Sequence, residues 1–320
     1  MSANDRLFSP TEVDEYLQRI GLQRDQLDSL SKLEALRKIQ LAHLLTVPFD
    51  TTAVHLPLDW WSDEHSQTPI VIGKDSPFQP ELVSVDCDDT LRNIVKNRRG
   101  GYCWSLNSCF ARLLLTLGYH VLKLPARVYT PRTQNPAQVG YEWTPICHLC
   151  LLVDVDNTQF LCDVGFGGGG PPYPIPFVMD QEASSLGPVE KFRLVRQICP
   201  ELNSEGQLPG YTLERWVGEW WSPCYHFYDA PMTFRDVEVY NWYNSTHSLA
   251  VFKTLMVVTL VLKDDSRRTL LCHVKDDKQG ELKISTTAHP RAEETDVSYI
   301  TPTFGELRRV LRQEFNWGPP

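Results

Sequence analysis

The sequence predicts an α+β protein with more than one domain. Three observations predict it. The first third carries helical periodicity with cap signals. From Tyr119 the pattern changes to short apolar or alternating runs split by turn residues. The C-terminal part mixes the two. At 320 residues and 42% hydrophobic content the chain is long enough for two or three domains.

The helices announce themselves by their ends. Ser9-Pro10-Thr11-Glu12 is a capping box with proline at the first helical position. Val13, Tyr16, Leu17 and Ile20 then share one face, and Gly21 stops the helix. Ser31 and Glu34 form a second capping box, followed by Leu36, Ile39, His43 and Leu44, until Pro48 ends the run. His43 on that face reads as a hydrogen-bonded core residue. Residues 50–90 are dotted with Pro and Asp, with 70–72 as a strand candidate. After Gly100-Gly101, a third helix places Cys103, Leu106, Phe110, Leu113, Leu114 and Leu117 at helical spacing, and Gly118 closes it.

Residues 121–129, 147–155 and 159–164 read as strands, the last two joined by a turn at Asp156-Asn157. Residues 165–176 are a Gly/Pro-rich loop, and the polar stretch 200–215 reads as a linker. Residues 254–263 and 269–274 pair around the turn at 264–268. Thr303 to Glu306 is a third capping box, opening a last helix with Leu307, Val310, Leu311 and Phe315 inward.

Charge excludes several functions. Lys plus Arg total 31 against 40 Asp plus Glu, a formal charge of −9, which argues against a nucleic-acid binder. The longest apolar stretch, residues 255–262, is far short of a membrane span. The N-terminus carries charge where a signal peptide needs an apolar run, so a cytoplasmic location and nine free thiols are expected.

One thiol stands apart. Cys103 follows Arg98-Arg99-Gly100-Gly101-Tyr102 and falls in the first turn of a helix. Helix-end N–H groups and two arginines nearby would lower its pKa. His148 lies 148 − 103 = 45 residues on, and Asp163 a further 163 − 148 = 15. About the Asp156-Asn157 turn these two are nearly symmetric, 8 and 7 residues away, so a hairpin brings imidazole and carboxylate together. The three positions favour a Cys-His-Asp triad. Cys147-x-x-Cys150 is no zinc or dithiol motif, since residues three apart in a strand face opposite ways and no second pair exists; no metal is expected.

These residues resemble a known family. Arg99-Gly100-Gly101-Tyr102-Cys103, then His148, then Asp163-Val164-Gly165-Phe166-Gly167 look like the signature of the arylamine N-acetyltransferases. Tyr16-Leu17-Gln18-Arg19-Ile20-Gly21-Leu22, Val47-Pro48-Phe49, Asp236, the run from Asn241 to Thr246, and Phe252 extend the resemblance over most of the chain. Two positions depart: Ser105 stands where the family has an acidic residue, and Asp50-Thr51 where it has Glu-Asn. Cys103-Trp104 and the Cys-His-Asp order also resemble transglutaminases and cysteine hydrolases, which act on amides. A ligand-binding protein without catalysis is the third reading.

The family resemblance implies an N-terminal helical bundle (1–118), a central antiparallel β-barrel (119–215) and a C-terminal α/β lid (216–320), with a cysteine-protease-like or transglutaminase-like catalytic core. It implies ping-pong transfer of an acyl group from acyl-CoA to an arylamine, hydrazine or hydroxylamine, with a thioester on Cys103. It further implies His148 as proton carrier, Asp163 as its orienter, Phe49 and Phe166 as acceptor-pocket walls, and Thr246 near coenzyme A. A monomer is expected. Acetyl-, propionyl- and malonyl-CoA are the candidate donors. The neutral Ser105 favours an acidic one only weakly, because it points about 200° around the helix from Cys103.

Overall fold

The computed structural model describes residues 6–57, 59–73, 76–78, 82–130, 134–200, 208–273, 282–288 and 293–318. The chain is α+β as expected. It opens with helices α1 (Pro10–Arg19), α2 (Arg24–Asp28) and α3 (Lys32–Leu44). Two of the three expected capping boxes form: Ser9 Oγ accepts from Glu12 N–H, Ser31 Oγ from Glu34 N–H, and each glutamate reaches back; at the third, Thr303 Oγ1 accepts from Glu306 N–H but the Glu306 carboxylate turns to Arg309. Gly21 sits at φ +76°, the left-handed turn that lets the chain leave α1. His43 is fully buried, its Nδ1 hydrogen-bonded to Tyr16 Oη at 2.7 Å.

A two-residue strand, β1 (Phe49–Asp50), precedes α4 (Cys87–Val95) and α5 (Cys103–Thr116). α4 was missing from the sequence reading. Its signal is Asp86, which caps Asp88 and Asp89 N–H. The strand expected at 70–72 does not form: only Pro69 makes an isolated bridge, to Thr303, and Ile70 and Ile72 are coil packed against the core of the last helix. An apolar triplet filling a groove carries the same pattern as a short strand.

The middle of the chain forms an eight-stranded antiparallel sheet that curls into a nearly closed barrel. Its strands are β2 (His120–Tyr129), β3 (Trp143–Val155), β4 (Thr158–Cys162), β5 (Ile175–Pro176), β6 (Ala183–Ser184), β7 (Lys191–Gln197), β8 (Gly210–Trp216) and β9 (Trp221–Phe227). They lie in the order β5-β4-β3-β2-β9-β8-β7-β6. A short helix, α6 (Pro136–Val139), lies between β2 and β3. The linker reading of 200–215 is corrected here. Residues 210–216 are a strand buried between β7 and β9, and the sheet runs on to Phe227, past the expected boundary at 215/216. Residues 201–207 lie outside the described residues.

The remainder is α7 (Phe234–Thr246), α8 (Val251–Thr254), strands β10 (Leu255–Val261), β11 (Arg267–His273), β12 (Leu282–Thr287) and β13 (Thr295–Ile300), and α9 (Phe304–Glu314). β10 and β11 pair as expected. The five-stranded sheet takes its edge from far upstream: β1 pairs with β10 through Phe49–Thr259 and Asp50–Val258. α9 covers one face through Phe304, Leu307, Val310 and Leu311, which bury about 1.5–3 kcal/mol each. α5 is enclosed almost all round, from Cys103 to Leu114, and holds the bundle to the barrel.

Candidate active site

Local sequence dictates how α5 begins. A Cβ on Gly100 would fall 2.0 Å from Pro48 O, and one on Gly101 2.5 Å from Ser105 Oγ, so the chain enters the helix through a passage only glycines fit. Ser105 Oγ accepts from Tyr102 N–H at 3.2 Å and closes the helix start. Ser105 is buried in this cap and is not among the cavity-wall residues, which removes the ground for linking it to donor choice.

The hairpin expected around Asp156-Asn157 forms, with both residues at positive φ, +48° and +64°. Its register pairs Leu151 with Cys162; continued one rung it sets Asp163 opposite Cys150, which makes His148 its diagonal neighbour on one face. His148 Nε2 lies 2.6 Å from Asp163 Oδ2, both residues at 2% exposure or less. Asp163 Oδ1 accepts from Asn107 Nδ2 at 2.9 Å and from Gly165 N–H at 2.8 Å. A carboxylate so held accepts the Nε2 proton and leaves the Nδ1 lone pair free to face a reacting group.

Cys103 Sγ points at the start of β3, donating to Cys147 O at 3.4 Å, one residue before His148. A Cβ on Gly165 would lie 2.7 Å from Cys103 Cα, so the loop after Asp163 lies directly on the thiol residue. The expectation of a lowered thiol pKa is corrected. Burial pushes the Cys103 thiol well up, and Cys147 and Asp163 push it further. The N–H groups of Leu149 and Trp104 act the other way. The arginines are elsewhere: Arg99 packs between Trp61 and Trp317, 5.2 and 5.0 Å from the ring centroids. It makes cation–π contacts with both rings.

A cavity of about 520 Å³ opens onto Cys103 and His148. Phe49 and Phe166 line it. Phe166 meets the His148 ring edge-on at 5.0 Å, and Tyr225 meets it at 4.8 Å. Thr246 is not among the wall residues. It is exposed at the end of α7, its hydroxyl donating to Trp242 O at 2.5 Å, while Tyr243 and Asn244 reach the cavity. The other departures are structural: Asp50 accepts from Trp317 Nε1 at 3.0 Å and Thr52 N–H at 2.8 Å, and Thr51 Oγ1 accepts from Val257 N–H at 2.9 Å.

Sequence reasoning missed Asn107, Tyr225, Arg215 and Arg267. Asn107 had a signal, since it lies one helical turn beyond Cys103 on the same face. Strand pairings with no local mark bring Arg215 and Arg267 to the cavity and Tyr225 to the His148 ring. All nine cysteines are free thiols. Among the described residues no group of three His, Cys, Asp or Glu is placed to hold a metal, and no helix is long and apolar enough to cross a membrane.

The N-acetyltransferase family model matches residues 32–317, most of the chain. The chain belongs to the arylamine N-acetyltransferase family. Members are acyl-CoA-dependent transferases. Among its relatives is the arylamine N-acetyltransferase of Mycolicibacterium smegmatis, 30% identical over 80% of this chain and 78% of that protein. The N-malonyltransferase FDB2 of Gibberella moniliformis is 25% identical over 75% of this chain. That match spans 66% of the relative's length, just under two thirds. The solved arylamine N-acetyltransferase of Salmonella typhimurium shares the fold, with a TM-score of 0.70 at 22% identity over 98% of this chain and 93% of that one. The helical bundle, near-closed barrel and C-terminal β/α region are this family's architecture.

Proposed function

We propose that this protein transfers an acyl group from acyl-CoA to an arylamine, hydrazine or hydroxylamine through a thioester on Cys103. The observation that carries the reading is that Cys103 and His148, the latter held by a buried Asp163, line one cavity together with Phe49 and Phe166. In this reading Cys103 gives its proton to His148 Nδ1, and the thiolate attacks the thioester carbonyl of acyl-CoA. Asp163 holds the imidazolium. The N–H of Trp104, in the first turn of α5 where the helix offers it no acceptor, donates to the oxyanion. As the tetrahedral intermediate collapses, the CoA sulfur leaves with the proton from His148. In the second half the amine attacks the acyl-cysteine, His148 takes the amine proton, and the proton returns to the Cys103 sulfur as it leaves.

Phe49 and Phe166 would seat the flat acceptor between them. Thr246, two residues beyond the cavity-lining Asn244, is assigned to the outer part of coenzyme A. The names of the relatives support acetyl-CoA and malonyl-CoA as the donors to compare. We place the second domain boundary after Phe227, where the barrel sheet ends, and read the enzyme as a cytoplasmic monomer. Initial rates over a grid of acyl-CoA and arylamine concentrations test the mechanism. Parallel double-reciprocal lines are expected, and converging lines would reject the acyl-enzyme.

A further inference from the structure

The cavity holds a buried guanidinium that the transfer chemistry does not use. Arg215 stands on β8 opposite Ser222 of β9, with 7% of its side chain exposed, and it lines the same cavity as Cys103 and Phe166. Its Nε and Nη1 have no hydrogen-bond acceptor among the described residues. Its ion-pair partner is Glu190, but Oε1 lies 3.6 Å from Nη1, too long for a hydrogen bond.

Glu190 is only half engaged: Oε1, the oxygen that faces Arg215, makes no hydrogen bond among the described residues. Its Oε2 accepts from Arg267 Nη2 at 2.5 Å and from Ser185 Oγ at 2.8 Å. Arg267 also donates to Gly168 O at 2.9 Å and to Asp265. Two guanidiniums thus share one glutamate, and Arg215 is the one left with unused donors. Buried donors without acceptors are costly, and a guanidinium fork matches a carboxylate better than any neutral group.

The loop leaves the way clear. A Cβ on Gly169 would sit 3.3 Å from Arg215 Nη1 and 3.1 Å from the edge of the Phe166 ring. With glycine there, no side chain of that residue separates the guanidinium from Phe166, which in turn meets His148. We propose that Arg215 reads a carboxylate on the substrate bound in this cavity, and so sets specificity in the transfer reaction. The proposal rests on the acyl-transfer reading. The carboxylate has two sources, the far end of a malonyl group or the ring of an aminobenzoate.

The test assays the full chain with acetyl-CoA or malonyl-CoA, each with 4-aminobenzoate or 4-aminobenzamide. The carboxylate-bearing member of one pair should show a kcat/KM higher by roughly tenfold or more. In Arg215→Gln that preference should collapse, and in Arg215→Lys it should partly return. Preference for malonyl-CoA places the carboxylate on the donor, and preference for aminobenzoate places it on the acceptor. No preference in either pair, or a preference unchanged in Arg215→Gln, overturns the proposal. A second measurement needs no variant: malonate or benzoate should slow iodoacetamide alkylation of Cys103 more than malonamide or benzamide does. Equal protection overturns the proposal as well. Failure of the transfer reading shows separately, as no turnover with any pairing, and the protection assay then decides on Arg215 alone.

Discussion

Gly165 lies on Cys103 so closely that a single methyl group would fall 2.7 Å from the Cys103 Cα and 2.8 Å from Asn107 Nδ2. The Gly165 backbone is not in the left-handed region, so this glycine is required for approach and not for its torsion angle. Gly165→Ala should therefore act as overpacking, costing about 2 kcal/mol of stability. It should also slow Cys103 acylation by about a hundredfold through misplacement of the thiol. Urea unfolding and single-turnover acylation check the two effects; full activity would show that the contact relaxes freely.

Asn107 ties the three parts of the site together. Its Nδ2 donates to Leu149 O at 2.6 Å and to Asp163 Oδ1 at 2.9 Å, and its Oδ1 accepts from Val164 N–H at 2.9 Å. Asn107→Ala leaves two buried acceptors and one donor unmade, at a cost of roughly 2–4 kcal/mol. Because Asp163 then orients His148 less firmly, the pH–rate profile should shift along with the loss of stability. A purely structural role would lower stability and leave the profile in place.

Ser105→Ala should cost about 1 kcal/mol through loss of the α5 cap. It should leave the ratio of malonyl-CoA to acetyl-CoA turnover unchanged, because the hydroxyl serves Tyr102 N–H. A changed ratio would return this position to the donor site.

Buried neutral histidines make the fold acid-sensitive. Burial lowers His43 from 6.5 to about 3 and His55 from 6.5 to about 4. Below pH 6.5 the unfolded chain takes up protons that the folded chain refuses. This stability is full above pH 6.5 and is lost as pH falls through the folded values, at up to about 1.4 kcal/mol per pH unit for each histidine. Urea midpoints should fall steeply between pH 6 and 4, and His43→Gln should flatten that slope by about one proton. An unchanged slope would show that His43 is not among the groups responsible.

The legible parts of this protein were those written locally. Ser9, Ser31 and Thr303 marked helix starts, and Asp156-Asn157 marked the turn that sets His148 against Asp163. Arrangements made by distant segments were not legible. β1 joins β10 across more than two hundred residues, and no pattern near Phe49 announces it. The polar residues 210–216 read as a linker because Thr212, Glu214 and Arg215 mask a strand, and their partners on β7 and β9 are what bury them. The thiol pKa was misjudged for a related reason. A helix end and neighbouring arginines are visible in sequence, whereas the burial that outweighs them is not.

The central claim is that Cys103 carries the acyl group. Incubation with acetyl-CoA and with malonyl-CoA, followed by intact mass measurement without arylamine, tests it most directly. One acyl group is expected on the unmodified chain, lost when an arylamine is added, and none on Cys103→Ala. No adduct from any acyl-CoA, or an adduct that persists in Cys103→Ala, would contradict it.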